Sequence, residues 1–320
     1  MKRVLICFFS LLVILMGIMN TGCGTKSETP TFILVPKSVG LPYWAEVERG
    51  MNDMAKELGV KAIFNGPPTG SSAQQISIIE GAIAKKVAGI GISPNEPEAV
   101  EAIIKSATEK AIPVITFDSD SPKSLRSYYI GTDNYQAGKT LGEHFIKIVG
   151  TKGKIALLTG GLGAMNLNER IKGFKDEIAK YPDLQIVQLE ANNDDEALAL
   201  SQSEAILQSH PDLLAFVGLN AAAAPGAARA VKALGKKDKV KIVGFDTVPL
   251  TRDFIRQGYI QGSVGQRPYM MGYISIKVLY DIHNEKEIQL PEGFKAANDI
   301  IDTGILFITP ENIDEHFPEK

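Results

Sequence analysis

The sequence predicts an α/β protein of two similar lobes, each built on a parallel, doubly wound sheet, with a hinge between them. Three observations carry that prediction. Apolar, β-branched runs alternate with helical stretches of roughly 10 to 15 residues, and the alternation runs through twice. "IPVITFD" (112–118) and "VKIVGFD" (240–246) end corresponding runs on the same Phe-Asp pair. At 320 residues the chain also exceeds what one small core organises, so two lobes are the default.

Each element follows from local pattern. "FILV" (32–35) is a short buried-strand run. Trp44, Val47, Met51, Met54 and Leu58 come next at spacings of three and four, the stripe of an amphipathic helix that Gly59 stops. "VKAIF" (60–64) is the second strand, "QQISIIEGAIAKKV" (74–87) a helix, and "AGIGIS" (88–93) a third strand closed by Pro94. "PEAVEAIIKSATEKA" (97–111), with Pro97 in its first turn, is helical and leads into the strand "IPVITF" (112–117). In the second run "KIALLT" (154–159), "LQIVQLE" (184–190), "LLAFVG" (213–218) and "VKIVGF" (240–245) are strands. Helices between them start near Asn168, Glu196 and Ala223. Such βαβ units make parallel sheets with right-handed crossovers.

The first residues follow a different logic. "MKR" is a positive start, Val4 to Met19 is almost unbrokenly apolar, and "NTGC" (20–23) precedes a polar stretch. The apolar run falls short of the about 20 residues a membrane span wants. The order is that of an export signal, cleaved before Cys23, which would then carry a lipid anchor. Asn20 stands where such signals usually have leucine, and an uncleaved N-terminal anchor is the alternative. Only Cys7 and Cys23 are cysteines, so the body beyond the leader holds no disulfide. Removing residues 1–22 takes Lys2 and Arg3 and no acid, which leaves 32 basic against 37 acidic side chains. That balance excludes a nucleic-acid surface.

Enzyme signatures mostly fail. "AGKT" (137–140) resembles half a phosphate loop, but Asp133 stands where the first glycine is required. "GGLG" (160–163) lacks the third glycine of a dinucleotide fingerprint and reads as a strand-to-helix turn. His144, His210, His283 and His316 form no metal-spaced pair, and no G-x-S-x-G elbow is present. No catalytic residue, metal site or cofactor is therefore expected. Asp118 and Asp120, at i and i+2 of one strand end, project the same way, which suits one polar wall better than the flanking acid and base of a glycosidase. Asp118 with Asp246, one per lobe, keeps a sugar-processing enzyme open as a lesser reading.

Ligands of open α/β sheets bind outside the carboxyl ends of the strands. Asp118, Asp246, Lys37 and Asn220 all sit at such ends, and facing lobes would bring them into one cleft. A lysine directly after a buried strand also needs a polar or anionic partner. Tyr43 and Trp44 either pack in the core or offer a ring face to the cleft. Asn166, Asn168 and Arg170 lie near a helix start, and Asn193 and Asp194 follow a strand, so capping competes with ligand contact at each. Gln266 either bridges a ligand or crosses a hinge.

Taken together, "LPYWAEVERGMNDMAKELG", "GIGISPNEPEAV", "IPVITFD", "GTDNYQAGKTLG", "ERIKGF", "VGLNAAAAPGAARAV", "VGFD" and "GSVGQRPYMMG" resemble the periplasmic sugar-binding proteins of the ribose-binding type. The likeness runs from about residue 31 to the end, in the family's order. It implies the type I periplasmic binding protein fold, a sugar ligand and delivery to the permease of an ABC importer. By position, Tyr43, Trp44, Asp118, Asn220, Asp246 and Gln266 match ligand-contacting residues of that family. Ser119 replaces an arginine of the ribose binders, their second arginine falls near Asn168, and their third aromatic falls near Asn193. "VPKSVG", "NGPP", "TFDSDSP" and "RSYYI" look like the rhamnose- and autoinducer-2-binding branch, where the lysine and aspartate matching Lys37 and Asp118 meet the ligand. The Asp-Gln pair of autoinducer-2 receptors reads Asn166-Leu167 here.

The expected organisation is a signal peptide (1–22), a lipid anchor and linker (23–31), an N-terminal lobe (32–132 plus 267–298) and a C-terminal lobe (133–266 plus 299–320). The expected protein is a monomeric lipoprotein on the outer side of the cytoplasmic membrane. It closes on a sugar or sugar-like furanose and serves import, or alternatively sensing through a chemoreceptor or sensor kinase.

Overall fold

A computed structural model of the protein describes residues 29–318. The expected leader and Cys23 lie outside the described residues. The first run comprises β1 (Thr31–Val35), α1 (Pro42–Leu58), β2 (Lys61–Phe64), α2 (Ser72–Ala84), β3 (Gly89–Ile92), α3 (Pro97–Glu109), β4 (Val114–Phe117) and β5 (Tyr129–Gly131). The second comprises α4 (Asn134–Val149), β6 (Gly153–Thr159), α5 (Met165–Ile178), β7 (Leu184–Ala191), α6 (Glu196–Ser209), β8 (Leu213–Gly218), α7 (Ala223–Ala233), β9 (Lys241–Phe245), α8 (Pro249–Arg256) and β10 (Gly262–Gly265). The chain ends with α9 (Pro268–His283), β11 (Ala296–Ala297), β12 (Ile300–Asp302), β13 (Leu306–Ile308) and α10 (Ile313–His316).

The strands form two sheets, ordered β11-β12-β5-β4-β3-β1-β2 and β13-β10-β9-β8-β6-β7. Pairing is parallel except at β11–β12 and β10–β13. Helices cover both faces, which is why β3 and β4 are buried at every residue and read as continuous apolar runs. This is the two-lobed, parallel α/β architecture expected from the alternating pattern.

The lobes repeat one packing device. In each lobe the helix that follows the first strand (α1, α5) lies against the helix that enters from a crossing (α9, α4). A methyl at Gly272 of α9 would stand 1.9 Å from the Val47 carbonyl, and one at Gly50 of α1 would stand 1.9 Å from that of Tyr269. In the second lobe, methyls at Gly138 and Gly173 would stand 2.3 Å and 2.1 Å from the carbonyls of Arg170 and Tyr135. Glycine on both helices lets the backbones touch. The "AGKT" stretch is thus the interior of α4, where Gly138 serves the crossing.

The chain passes between sheets three times: between β5 and α4, between β10 and α9, and between β12 and β13. The third passage differs from the expected boundary at 298/299. β12 pairs in parallel with β5 and its Ile301 is fully buried, so the first lobe keeps the chain through Asp302. Helix α5 also begins at Met165, three residues ahead of the expected start, after an extended Ala164 with no side-chain cap.

Candidate ligand-binding cleft

Asp118 and Asp246 take the same place in the two lobes. Each follows a buried strand, β4 or β9, and each turns the chain in the left-handed region, at φ 62° and 68°. Non-glycine residues adopt that region at a cost, and the surroundings hold both there. The amide of Asp118 donates to the Ile130 carbonyl and that of Asp246 to the Val264 carbonyl. Their own carbonyls accept from the hydroxyls of Tyr129 and Ser263, at 3.1 and 2.6 Å. The Phe-Asp echo in the sequence is therefore one backbone device used twice, and it aims two carboxylates into the space between the lobes.

Asp118 is almost saturated by its own protein. Oδ1 accepts from Ser93 Oγ at 2.7 Å and lies 3.0 Å from Lys37 Nζ, while Oδ2 accepts from the Tyr43 hydroxyl at 2.9 Å. Burial pushes this carboxyl up, but Lys37, Arg170 and the Ser93 bond outweigh it and hold it below the usual carboxylate range. Burial, reinforced by the field of Asp118, pushes the Tyr43 phenol well above its ordinary value, so it stays a donor. Lys37 reaches on to Asn166 Oδ1 at 2.8 Å, a bond between lobes.

Asp246 has fewer partners. Oδ1 accepts from Gln266 Nε2 at 2.8 Å, and Gln266 Oε1 in turn accepts from Thr132 Oγ1 at 2.8 Å across the lobes. Burial pushes the Asp246 carboxyl up to about 6, against the pull of Arg170 and Gln266 and with the push of Asp118. Asn220 exchanges two amide bonds with Asn192, at 3.0 and 2.9 Å, and donates to Asp194 Oδ1 at 2.6 Å.

Lys37, Tyr43, Trp44, Asp118, Asn166, Asn220, Asp246 and Gln266, all singled out in the sequence, line one space of about 360 Å3 together with Arg170 and Asp194. That volume includes space open to solvent. Trp44 is both core and wall: 5% exposed, it meets Tyr43 and Phe117 edge to face at 5.0 and 6.2 Å.

Two expected positions lie elsewhere. The Asn168 side chain is exposed and donates to the Leu162 carbonyl, which pins the turn before α5. Asn193 is exposed at the outer mouth, at φ 50°, while its neighbours Asn192 and Asp194 carry the inward polar atoms. Arg170, for which the sequence left capping and ligand contact both open, is the main addition to the positions matched by resemblance. Its guanidinium is buried, lies 3.9 Å over the Phe245 ring, donates from Nε to Asn134 and from Nη1 to the Leu219 carbonyl, and leaves Nη2 without a partner among the described residues. The signal was helical spacing: residues 166 and 170 share a face and 168 does not.

Asp120 takes no part in this space. Its carboxylate holds the Arg126 guanidinium, which also bonds Asp299, and it caps the Ser121 amide. We expect Asp120→Ala to destabilise the first lobe by about 2 to 4 kcal/mol, since it strips a mostly buried guanidinium of its main partner, and to leave ligand affinity within about twofold. Denaturant unfolding with a parallel binding titration checks both.

Among the described residues no cluster of His, Cys, Asp and Glu is arranged to hold a metal ion, and no helix is long and apolar enough to cross a membrane.

Known proteins share this architecture. Residues 32–287 match the periplasmic binding protein domain. The ribose import binding protein RbsB of Bacillus subtilis is 28% identical over 266 residues, 83% of this chain and 85% of that protein. An ABC transporter solute-binding protein from Burkholderia graminis, solved with D-arabinose, is 37% identical with a TM-score of 0.83 and covers 89% of this chain and 96% of its own. XylFII in its complex with LytSN is 32% identical with a TM-score of 0.82, over 88% of this chain and 98% of its own. These relatives carry the ribose-type assignment, and the rhamnose and autoinducer-2 branch stays a likeness of motifs. The chain belongs to the periplasmic binding protein family, among the ribose-type sugar-binding proteins of ABC transporters.

Proposed function

We propose that this protein captures a neutral monosaccharide, or a sugar-like furanose, between its lobes and hands it unchanged to an ABC importer. One observation carries the reading: two buried aspartates face the same space from the two lobes, each bordered by a cation or an amide, with an aromatic wall at Tyr43 and Trp44. Carboxylates accept from sugar hydroxyls, guanidinium and amide groups donate to sugar oxygens, and ring faces cover C–H surfaces. Lys37 and Arg170 stand against Asp118, Asp246 and Asp194, a near balance that suits an uncharged ligand. The ligand contacts proposed are those of Lys37, Tyr43, Trp44, Asp118, Asn166, Arg170, Asp194, Asn220, Asp246 and Gln266.

Contacts made from both lobes favour the closed arrangement, and that differential affinity drives closure about the three crossings. The relatives that take ribose and D-arabinose put pentoses first among the ligands to try. Export, a lipid at Cys23, a monomeric state and a place outside the cytoplasmic membrane belong to the same proposal. No step needs catalysis.

The test is thermal unfolding of residues 24–320 against pentoses, hexoses, deoxyhexoses and autoinducer-2, after unfolding and refolding to strip carried ligand. A ligand at 100 times its Kd adds about 2.7 kcal/mol, and so raises the midpoint by several degrees. No shift with any of them would sink the sugar reading. A sensing role is the second reading, favoured by the likeness to XylFII in complex with LytSN. Sugar uptake by vesicles carrying the matching permease separates it from import.

Asp246 makes the binding pH-dependent. Its folded value of about 6 lies above its ordinary 3.8, so the folded state holds the proton more tightly. The group therefore opposes folding at neutral pH, and that cost is relieved as pH falls from about 6 to about 4. A hydroxyl donating to Asp246 needs the carboxylate ionised, so affinity falls as pH drops through about 6. Titrations between pH 7.5 and 5 should show the fall in the wild type and a flat profile in Asp246→Asn.

A further inference from the structure

Tyr43, Asp246 and Gln266 are shared between the cleft and a second space behind them, about 1410 Å3 in volume including its open side. Both lobes line it. Arg49 and Tyr269 come from the first, Arg252, His316 and Phe317 from the second, and Arg267 stands on the second crossing. The protein carries a net charge of −3, yet three guanidiniums converge on this wall.

The carboxylates nearby do not use them up. Glu46 bonds Arg49 at 2.6 Å, and Asp246 is bonded to Gln266. Arg252 rests over the Phe317 ring at 4.7 Å. Neither Arg252 nor Arg267 forms an ion pair among the described residues. The first residues of α1, α8 and α9, Pro42, Pro249 and Pro268, also lie on this wall, so the positive ends of three helix dipoles stand beside it.

We propose that this space is a second binding site, for a small molecule bearing a carboxylate or phosphate group, gripped by Arg252 and Arg267 with Arg49 at its rim. Guanidinium forks match both oxyanions with paired, charge-assisted bonds. Because the walls come from both lobes, a bound anion stabilises the closed arrangement and so tightens sugar binding, and sugar tightens anion binding by the same factor. This coupling rests on the sugar-binding reading; anion binding by itself does not.

The experiment is calorimetric titration of residues 24–320 at constant ionic strength with inorganic phosphate and with citrate, first without sugar. We expect saturable binding of one anion per chain, with the preferred anion telling phosphate chemistry from carboxylate chemistry. Arg252→Gln with Arg267→Gln should weaken it about tenfold or more. Arg267→Gln alone, at an exposed position, should weaken it in part and serves if the pair folds poorly. No saturable binding of either anion below about 10 mM, a Kd corresponding to under 3 kcal/mol, would overturn the site, as would equal binding by the variants. Sugar titrations at saturating anion should then show a several-fold gain in affinity. Unchanged sugar affinity overturns the coupling and leaves the site, while absence of any sugar binding overturns the reading it rests on.

Discussion

Asp118→Ala should abolish measurable sugar binding and lower the unfolding midpoint by roughly 10 °C, which corresponds to about 3 to 5 kcal/mol at a few degrees per kcal/mol. The loss is large because three groups depend on this carboxylate. Lys37 Nζ, with a side chain 7% exposed, would keep only the amide oxygen of Asn166. Ser93 and Tyr43 would each lose an acceptor in a buried setting. The substitution also puts alanine at φ 62°, a region aspartate tolerates better because its side chain hydrogen-bonds locally.

A second variant separates stability from binding. Adding Lys37→Met to Asp118→Ala removes the stranded ammonium, so the double variant should regain much of the stability and none of the binding. Denaturant unfolding and sugar titration of both proteins give the comparison. If the double variant were as unstable as the single one, the buried ion pair would not be what makes Asp118 structurally important.

Gly272→Ala should destabilise the first lobe by about 3 kcal/mol or more, as overpacking does when the facing atom is backbone. Helix propensity alone predicts the opposite sign, since alanine is favoured over glycine by about 1 kcal/mol inside a helix. The geometry decides: the added methyl would sit 1.9 Å from the Val47 carbonyl and 2.9 Å from the Met51 amide. Helix α1 must then move, and it carries Tyr43 and Trp44 in its first turn, so ligand affinity should fall as well. Gly81→Ala is the control. It lies in α2, a methyl there meets nothing within 4 Å, and it should stabilise by up to about 1 kcal/mol. Equal effects of the two substitutions would refute the close crossing of α1 and α9.

Most of the candidate cleft's lining was readable because strand ends are local features. A buried apolar run shows where a parallel strand stops, and the residue that follows is on the ligand-facing side whatever the rest of the fold does. Lys37, Asp118, Asn220 and Asp246 were found in this way. The rest required rotation about a helix or the path of a turn. With the start of α5 placed three residues late, Asn166, Asn168 and Arg170 all read as helix-start residues; the true start at Met165 puts Asn166 and Arg170 on the buried face and Asn168 outside it. At the end of β7, Asn193 and Asp194 take consecutive left-handed conformations, and the Asn192 side chain accepts from the Asp194 amide. Strand alternation stops at such a turn, so the sequence could not say which of Asn193 and Asp194 faces inward.

By itself the sequence determined two α/β lobes and an aspartate at the end of a matching strand in each, since periodicity and strand-end position depend on neighbours along the chain. Only the tertiary structure decided which polar atoms meet across the cleft. Lys37 finds Asn166 129 residues away and Thr132 finds Gln266 134 residues away, and β12 returns to the first sheet beside β5. Those contacts are set by how two separately folded cores are held against each other by three short crossings, and no local pattern encodes that distance.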